Sequence, residues 1–281
     1  MKEAVNLTLD HERALYGECD LLVKGCRFEG PLDGESALKE AKHVKVESSY
    51  FSLRYPFWHD TDVTLSGSTL TETCRAAFWY CDCIRVEDSR LHGIKAMREC
   101  KGVSVSESDI ISAEFGWFCS DVALHNSSVE GEYLFLRTEG LTLDNVKQKG
   151  KYSFQYVKDA TIRDSYLDTK DAFWHAERVT VINSVVKGEY LGWYSKDLTL
   201  INCKIIGTQP LCYASGLKLV DCEMIDCDLS FERSEVEATL TAHIDSIKNP
   251  IKGSISVPSV GEIIRDIDGA DADIIIDGKP Q

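Results

Sequence analysis

Short apolar–polar–apolar triplets recur along this chain at a fixed spacing. They open at Ile84, Val103, Val122, Leu141, Ala160, Val179, Leu198 and Leu217, and each interval is 19 residues. Val63, Val44 and Leu21 continue the series backwards, with small insertions before Ile84 and Val44. We number each repeat from its triplet. Positions 1 and 3 are apolar and position 2 is usually polar, so the triplet reads as a short strand. Position 5 is often Asn or Asp (Asp88, Asn126, Asn145, Asn183, Asn202), residues that suit a tight bend. Position 6 is small (Ser89, Ser108, Ser127, Ser184), position 8 is apolar again, and glycines at position 10 (Gly93, Gly131, Gly188) mark a second bend. A third run spans positions 12 to 17. Three short strands and three bends in 19 residues make one coil of a solenoid, and stacking buries the inner face that a single coil leaves open.

The expected fold is therefore all-β, a right-handed parallel β-helix of about eleven coils with atypical capping ends. We expect one domain over residues 1–281. Residues 1–43 form an N-terminal cap and first coils, 44–238 the regular coils, and 239–281 a C-terminal cap where the register blurs. Ser36 to His43 (SALKEAKH) offers a Ser N-cap followed by good helix formers, so a short helix is expected there.

The third run carries the unusual residues. Positions 12, 14 and 16 give Tyr133, Phe135 and Arg137, then Tyr152, Phe154 and Tyr156, then Asp171, Phe173 and His175, then Tyr190, Gly192 and Tyr194. Positions 13, 15 and 17 give mostly small residues and Trp, including Trp174 and Trp193. Strand alternation sends one set inward and the other to solvent. Position 17 is nearly always small, as a crowded interior requires, which places the Tyr/Phe/His set outside. Arg98 and Gln155 at position 15 argue for the opposite facing.

Composition narrows the function. With 43% hydrophobic residues the chain has ample material for a core, and its net charge of −15 disfavours nucleic acid and anionic membranes as partners. The N-terminus lacks an apolar run of signal-peptide length, and eleven cysteines suit free thiols, so a cytoplasmic location is expected. Cys81, Cys100 and Cys119 share one column and read as buried packing residues. The tail aspartates Asp266, Asp268, Asp271, Asp273 and Asp277 surround Gly269, but that glycine is misplaced for a calcium loop and no Glu closes it, so they read as a solvated cap. No metal site or cofactor is expected.

Segments such as VTVINSVVKGEYLGWYSKD and LTLINCKIIGTQPLCYASG resemble the pectin-lyase-like superfamily of single-stranded right-handed β-helices. More closely, they resemble an uncharacterised bacterial family of unknown function and similar length. The resemblance covers essentially the whole chain and implies the fold, but fold does not fix function. Hydrolytic members of the superfamily pair carboxylates in Asn-x-Asp and Asp-Asp motifs that are missing here, and no coil carries the aspartate cluster of the lyases.

The expectation is a non-catalytic binding or scaffold protein. Its aromatic strip (Tyr133, Phe135, Arg137, Tyr152, Phe154, Tyr156, Phe173, Tyr190, Tyr194) would meet a saccharide, a protein or a second copy of the chain. The alternative is a cytoplasmic carbohydrate-active enzyme using Asp171, His175 and Glu114 as acid and base groups.

Overall fold

The computed structural model describes residues 1–30 and 35–281, which fall into two compact units, 1–142 and 143–281. Each unit is a parallel β-solenoid. Among the described residues there is no α-helix.

In the first unit the triplets lie at the centre of the first-wall strands Lys2–Val5, Cys19–Lys24, Lys42–Glu47, Thr61–Ser66, Asp82–Glu87, Lys101–Ser106, Ser120–His125 and Glu139–Asp144. Adjacent strands pair in parallel register one turn apart, Ile84 with Val103 and Val86 with Val105. The second unit repeats this with Lys158–Arg163, Glu177–Ile182, Lys196–Ile201, Leu217–Ile225, Glu235–Leu240, Lys252–Val257 and Asp273–Ile276. Extended backbone alternates its side chains. Val179, Val181, Leu198 and Leu200 are accordingly buried, and Thr180 and Thr199 between them are partly exposed.

These strands number fifteen where about eleven coils were expected. The four beyond the sequence-derived series are Lys2–Val5 and the last three. The segment read as a C-terminal cap thus holds two further first-wall strands. The register slips there because Ala238 pairs with Ile255, 17 residues on, after which Ile255 pairs with Ile274 at the usual 19. An antiparallel pairing of Asp273–Ile276 with Lys279–Pro280 ends the sheet.

The bends follow from residue type. Asp88, Asn126, Asn183 and Asn202 all have φ between 44° and 50°, a region that Asn and Asp tolerate better than most side chains. In the second unit Asn202 Nδ2 donates to Asn183 Oδ1 at 2.9 Å. The small residue that follows points inward, and its hydroxyl accepts a backbone N–H one turn back: Ser68 N to Ser89 Oγ and Ser89 N to Ser108 Oγ, both 3.1 Å. Those bonds offset the cost of burying the serines.

The helix expected at Ser36 to His43 does not form. Ser36 and Glu40 have φ of 58° and 62°, and strand begins at Lys42. The N–H groups of Leu38 and Glu40 donate forward to the carbonyls of Pro56 and Trp58 in the next turn, so this segment is the third wall of its own coil. Ala37, Leu38 and Ala41 supply the inner face that the turn needs, and their burial outweighs helix propensity.

Candidate functional site

The third wall departs from simple strand alternation. In the second unit positions 12, 14 and 16 all have left-handed backbone. Tyr152, Phe154 and Tyr156 have φ of 59°, 62° and 56°, and Asp171, Phe173 and His175 of 54°, 61° and 54°. The hydrogen bonds reverse direction along the wall. Tyr152 and Tyr156 N–H donate to the turn ahead (Lys170 O at 2.7 Å, Trp174 O at 2.9 Å), whereas Phe173 and Gly192 donate to the turn behind (Ser153 O at 3.1 Å, Ala172 O at 2.8 Å). These cross-turn bonds compensate left-handed residues that cost roughly 1–2 kcal/mol each. Two neighbours, positions 13 and 14, therefore face inward together with position 17, while positions 12, 15 and 16 line the outside.

This sorts the expected site residues into two groups. Phe154 and Phe173 are 0% and 2% exposed and stack on one another inside the second unit, ring centroids 4.8 Å apart. Phe135 is equally buried in the first unit, edge-on to Phe115. The expectation that these three phenylalanines face solvent is corrected: left-handed backbone at every second residue turns position 14 inward. Tyr133, Arg137, Tyr156 and Tyr194 are exposed, and Tyr152 and Tyr190 are half-buried on the outer side.

The outer surface of the second unit is built from two aromatic files. Tyr156, His175, Tyr194 and Tyr213 form one, with near-parallel rings at 4.9, 5.0 and 5.0 Å. Trp174 and Trp193 form the other, 5.5 Å apart and 5° from parallel. Trp193 stands across Tyr190, Tyr194 and Tyr213 at 74°, 80° and 72°. Each indole is pinned: Trp174 Nε1 donates to Tyr190 O and Trp193 Nε1 to Gln209 O, both at 2.7 Å. Rings stacked in this way cover much of one another's faces and present their edges and polar tips outward. Simple alternation places the tryptophans inside. The signal that could have placed them outside is Arg98 and Gln155, polar residues in the same column.

The first unit carries a related but interrupted surface. Trp58 stacks on Trp79 at 5.5 Å and His59 on Tyr80 at 5.1 Å. The Arg98 guanidinium then lies 5.7 Å from the Trp79 ring and 5.8 Å from Trp117, and Arg98 Nε donates to Glu99 at 2.9 Å. Trp117 Nε1 donates to Tyr133 O at 2.6 Å.

The acid–base set of the alternative reading does not assemble. Glu114 belongs to the first unit and is ion-paired with Lys95 at 3.2 Å. In the second unit His175 is exposed between Tyr156 and Tyr194, whereas Asp171 is only 5% exposed, and no hydrogen bond joins the two. Positions 12 and 16 both lie on the outer side, but Asp171 is buried there and His175 is not. Burial raises the Asp171 carboxyl above its ordinary range.

The thiol column lies in the core of the first unit. Cys81, Cys100 and Cys119 are buried, Cys83 is exposed, and Asp60 occupies position 17 one turn before Cys81. Asp60 Oδ1 accepts the Ala41 N–H at 3.0 Å, its other oxygen is buried without a partner, and burial pushes its carboxyl up to about 8. Among the described residues no group of three or more His, Cys, Asp or Glu side chains is arranged to hold a metal ion. A cleft of about 340 Å³ in the second unit is lined at the bend column by Asn183, Asn202, Lys204, Asp221 and Glu223, and no aromatic residue lines it.

Among solved structures, the chain is similar to the A-module of the Azotobacter vinelandii mannuronan C-5 epimerase AlgE4. The identity is 9% and the TM-score 0.45, over 85% of this chain and 89% of that one. The AlgE6 A-module from the same organism matches at 9% identity and a TM-score of 0.32, over 98% and 87% of the two chains. A double mutant of the periplasmic alginate epimerase AlgG matches at 9% and 0.25, over 91% and 77%. Likenesses this distant carry no information about what this chain binds or does. No curated protein sequence matches it. A model of the DUF3737 family, described as a protein of unknown function, matches residues 2–276, and the chain belongs to that family.

Proposed function

We propose that the outer third wall of the second unit is a non-catalytic carbohydrate-binding surface. One observation carries this reading: two aromatic files at right angles, with both indoles held by hydrogen bonds before any ligand arrives. Preorganised rings lose little freedom on binding. Exposed rings with polar tips offer apolar contact and hydroxyl hydrogen bonds together, which suits the mixed surface of a sugar. Tyr156 and Tyr194 are 39% and 45% exposed, and a run of such rings along one wall is unusual on a surface with no partner.

The test is a titration of neutral and acidic oligosaccharides followed by tryptophan fluorescence and calorimetry. The expected result is saturable binding that Trp193→Ala abolishes. Absence of binding to every saccharide class, or turnover of any of them, overturns the reading.

A further inference from the structure

The position-12 column of the second unit runs Tyr152, Asp171, Tyr190, Gln209. Asp171 is the one short residue between two tyrosines, and its residue is 5% exposed although the rest of the column is half-buried. Among the described residues its carboxylate receives no hydrogen bond and forms no ion pair, and the adjacent Trp174 has already spent its N–H on Tyr190 O. Lys170, the cation nearest in sequence, is held by Glu189 at 2.8 Å and lies 5.3 Å over the Tyr190 ring. A carboxyl group beside a binding surface with unused hydrogen-bonding capacity is an anchor for a ligand hydroxyl.

Of the cations bordering the surface, Lys158 pairs with Glu177 at 3.3 Å and Arg178 with Asp159 at 2.6 Å, whereas Lys196 and Arg233 form no ion pair among the described residues. Discrimination therefore rests on Asp171 itself. An acidic sugar would bring its carboxylate against the Asp171 carboxyl, whereas the hydroxyls of a neutral sugar can donate to it.

We propose that Asp171 is the specificity-determining residue of this surface, anchoring a hydroxyl of uncharged saccharides and discriminating against uronic ones. This rests on the carbohydrate reading of the same wall. Such discrimination by a buried hydrogen-bonding group exceeds what ring contacts alone supply.

The test uses the full chain with cellohexaose, maltohexaose and a galacturonate hexasaccharide as probes, comparing wild type with Asp171→Asn, Asp171→Ala and Trp193→Ala by calorimetry. Circular dichroism checks that each variant is folded, and the near-isosteric Asn variant guards against loss of structure in the Ala variant. Expected are binding of a neutral hexasaccharide by wild type, at least about tenfold weaker binding by Asp171→Ala, and a gain in galacturonate affinity in Asp171→Asn. Unchanged neutral-sugar affinity in both Asp171 variants while Trp193→Ala loses binding overturns the role of Asp171 and leaves the surface standing. Preference of wild type for galacturonate also overturns it. Failure of wild type to bind any probe overturns both.

Discussion

The first and third walls share one 19-residue period and obey different rules of facing. In the first wall of the second unit, extended residues alternate, so Val179 and Val181 point in and Thr180 stays at the surface. In the third wall every second residue is left-handed, so neighbours such as Ala172 and Phe173 are both buried and Trp174 and His175 both lie outside. A repeat fixes which residues are equivalent from turn to turn. Which way they face depends on backbone conformation, and that can differ between walls of the same coil.

Mutations at paired aromatic positions separate the two rules most sharply. Phe173→Ala is expected to destabilise the protein by about 3–5 kcal/mol, the usual range for a buried phenylalanine, measured by urea unfolding. Simple alternation places Phe173 outside and predicts a small change instead.

The buried Asp60 gives the next effect. Its folded carboxyl is raised to about 8 against a usual value of 3.8, so the folded chain binds a proton that the unfolded chain has lost between those values. The stabilisation is present in full below about pH 4 and is lost as pH rises through about 8. Each unit of pH between the two values removes up to about 1.4 kcal/mol. Unfolding measured from pH 4 to 9 is expected to show this slope in wild type and a flatter profile in Asp60→Asn.

Gly192→Ala tests the left-handed wall itself. Its φ is 71°, and an added Cβ would lie 2.7 Å from Leu211 Cδ2, so a loss of about 1–2 kcal/mol is expected. A neutral or stabilising result would contradict that backbone. The smallest stability effect belongs to Tyr194→Ala. At an exposed position the expected change is within about 0.5–1 kcal/mol, whereas saccharide affinity falls.

Much of the fold was legible because its signals repeat. The triplets, the Asn and Asp bends and the inward serines each recur in column, and one accidental residue does not hide them. The ends were less legible: the spacing of 17 between Ala238 and Ile255 breaks the period, and the Ala37–Leu38–Ala41 pattern suits a helix as well as a turn. The candidate site was half legible. Alternation puts Tyr156, Tyr190 and Tyr194 on the outer side, as the structure has them, but it turns Phe154 and Phe173 outward and Trp174 and Trp193 inward, the reverse of the structure. Left-handed backbone there is carried by Tyr, Phe, His and Asp, whose identity does not announce it. Gly116 and Gly192, both at position 14 with φ of 77° and 71°, are among the few marks of it in the sequence.

Residue-resolved hydroxyl-radical footprinting of the full chain, with and without cellohexaose, tests the facing of the third wall most directly. The structure predicts oxidation at Tyr156, Trp174, Trp193 and Tyr194, protection of Phe154 and Phe173, and added protection of the first group alone when the sugar binds. Oxidation of Phe154 and Phe173 with Trp174 and Trp193 protected would contradict it, restoring simple alternation and removing the surface on which the proposed function rests.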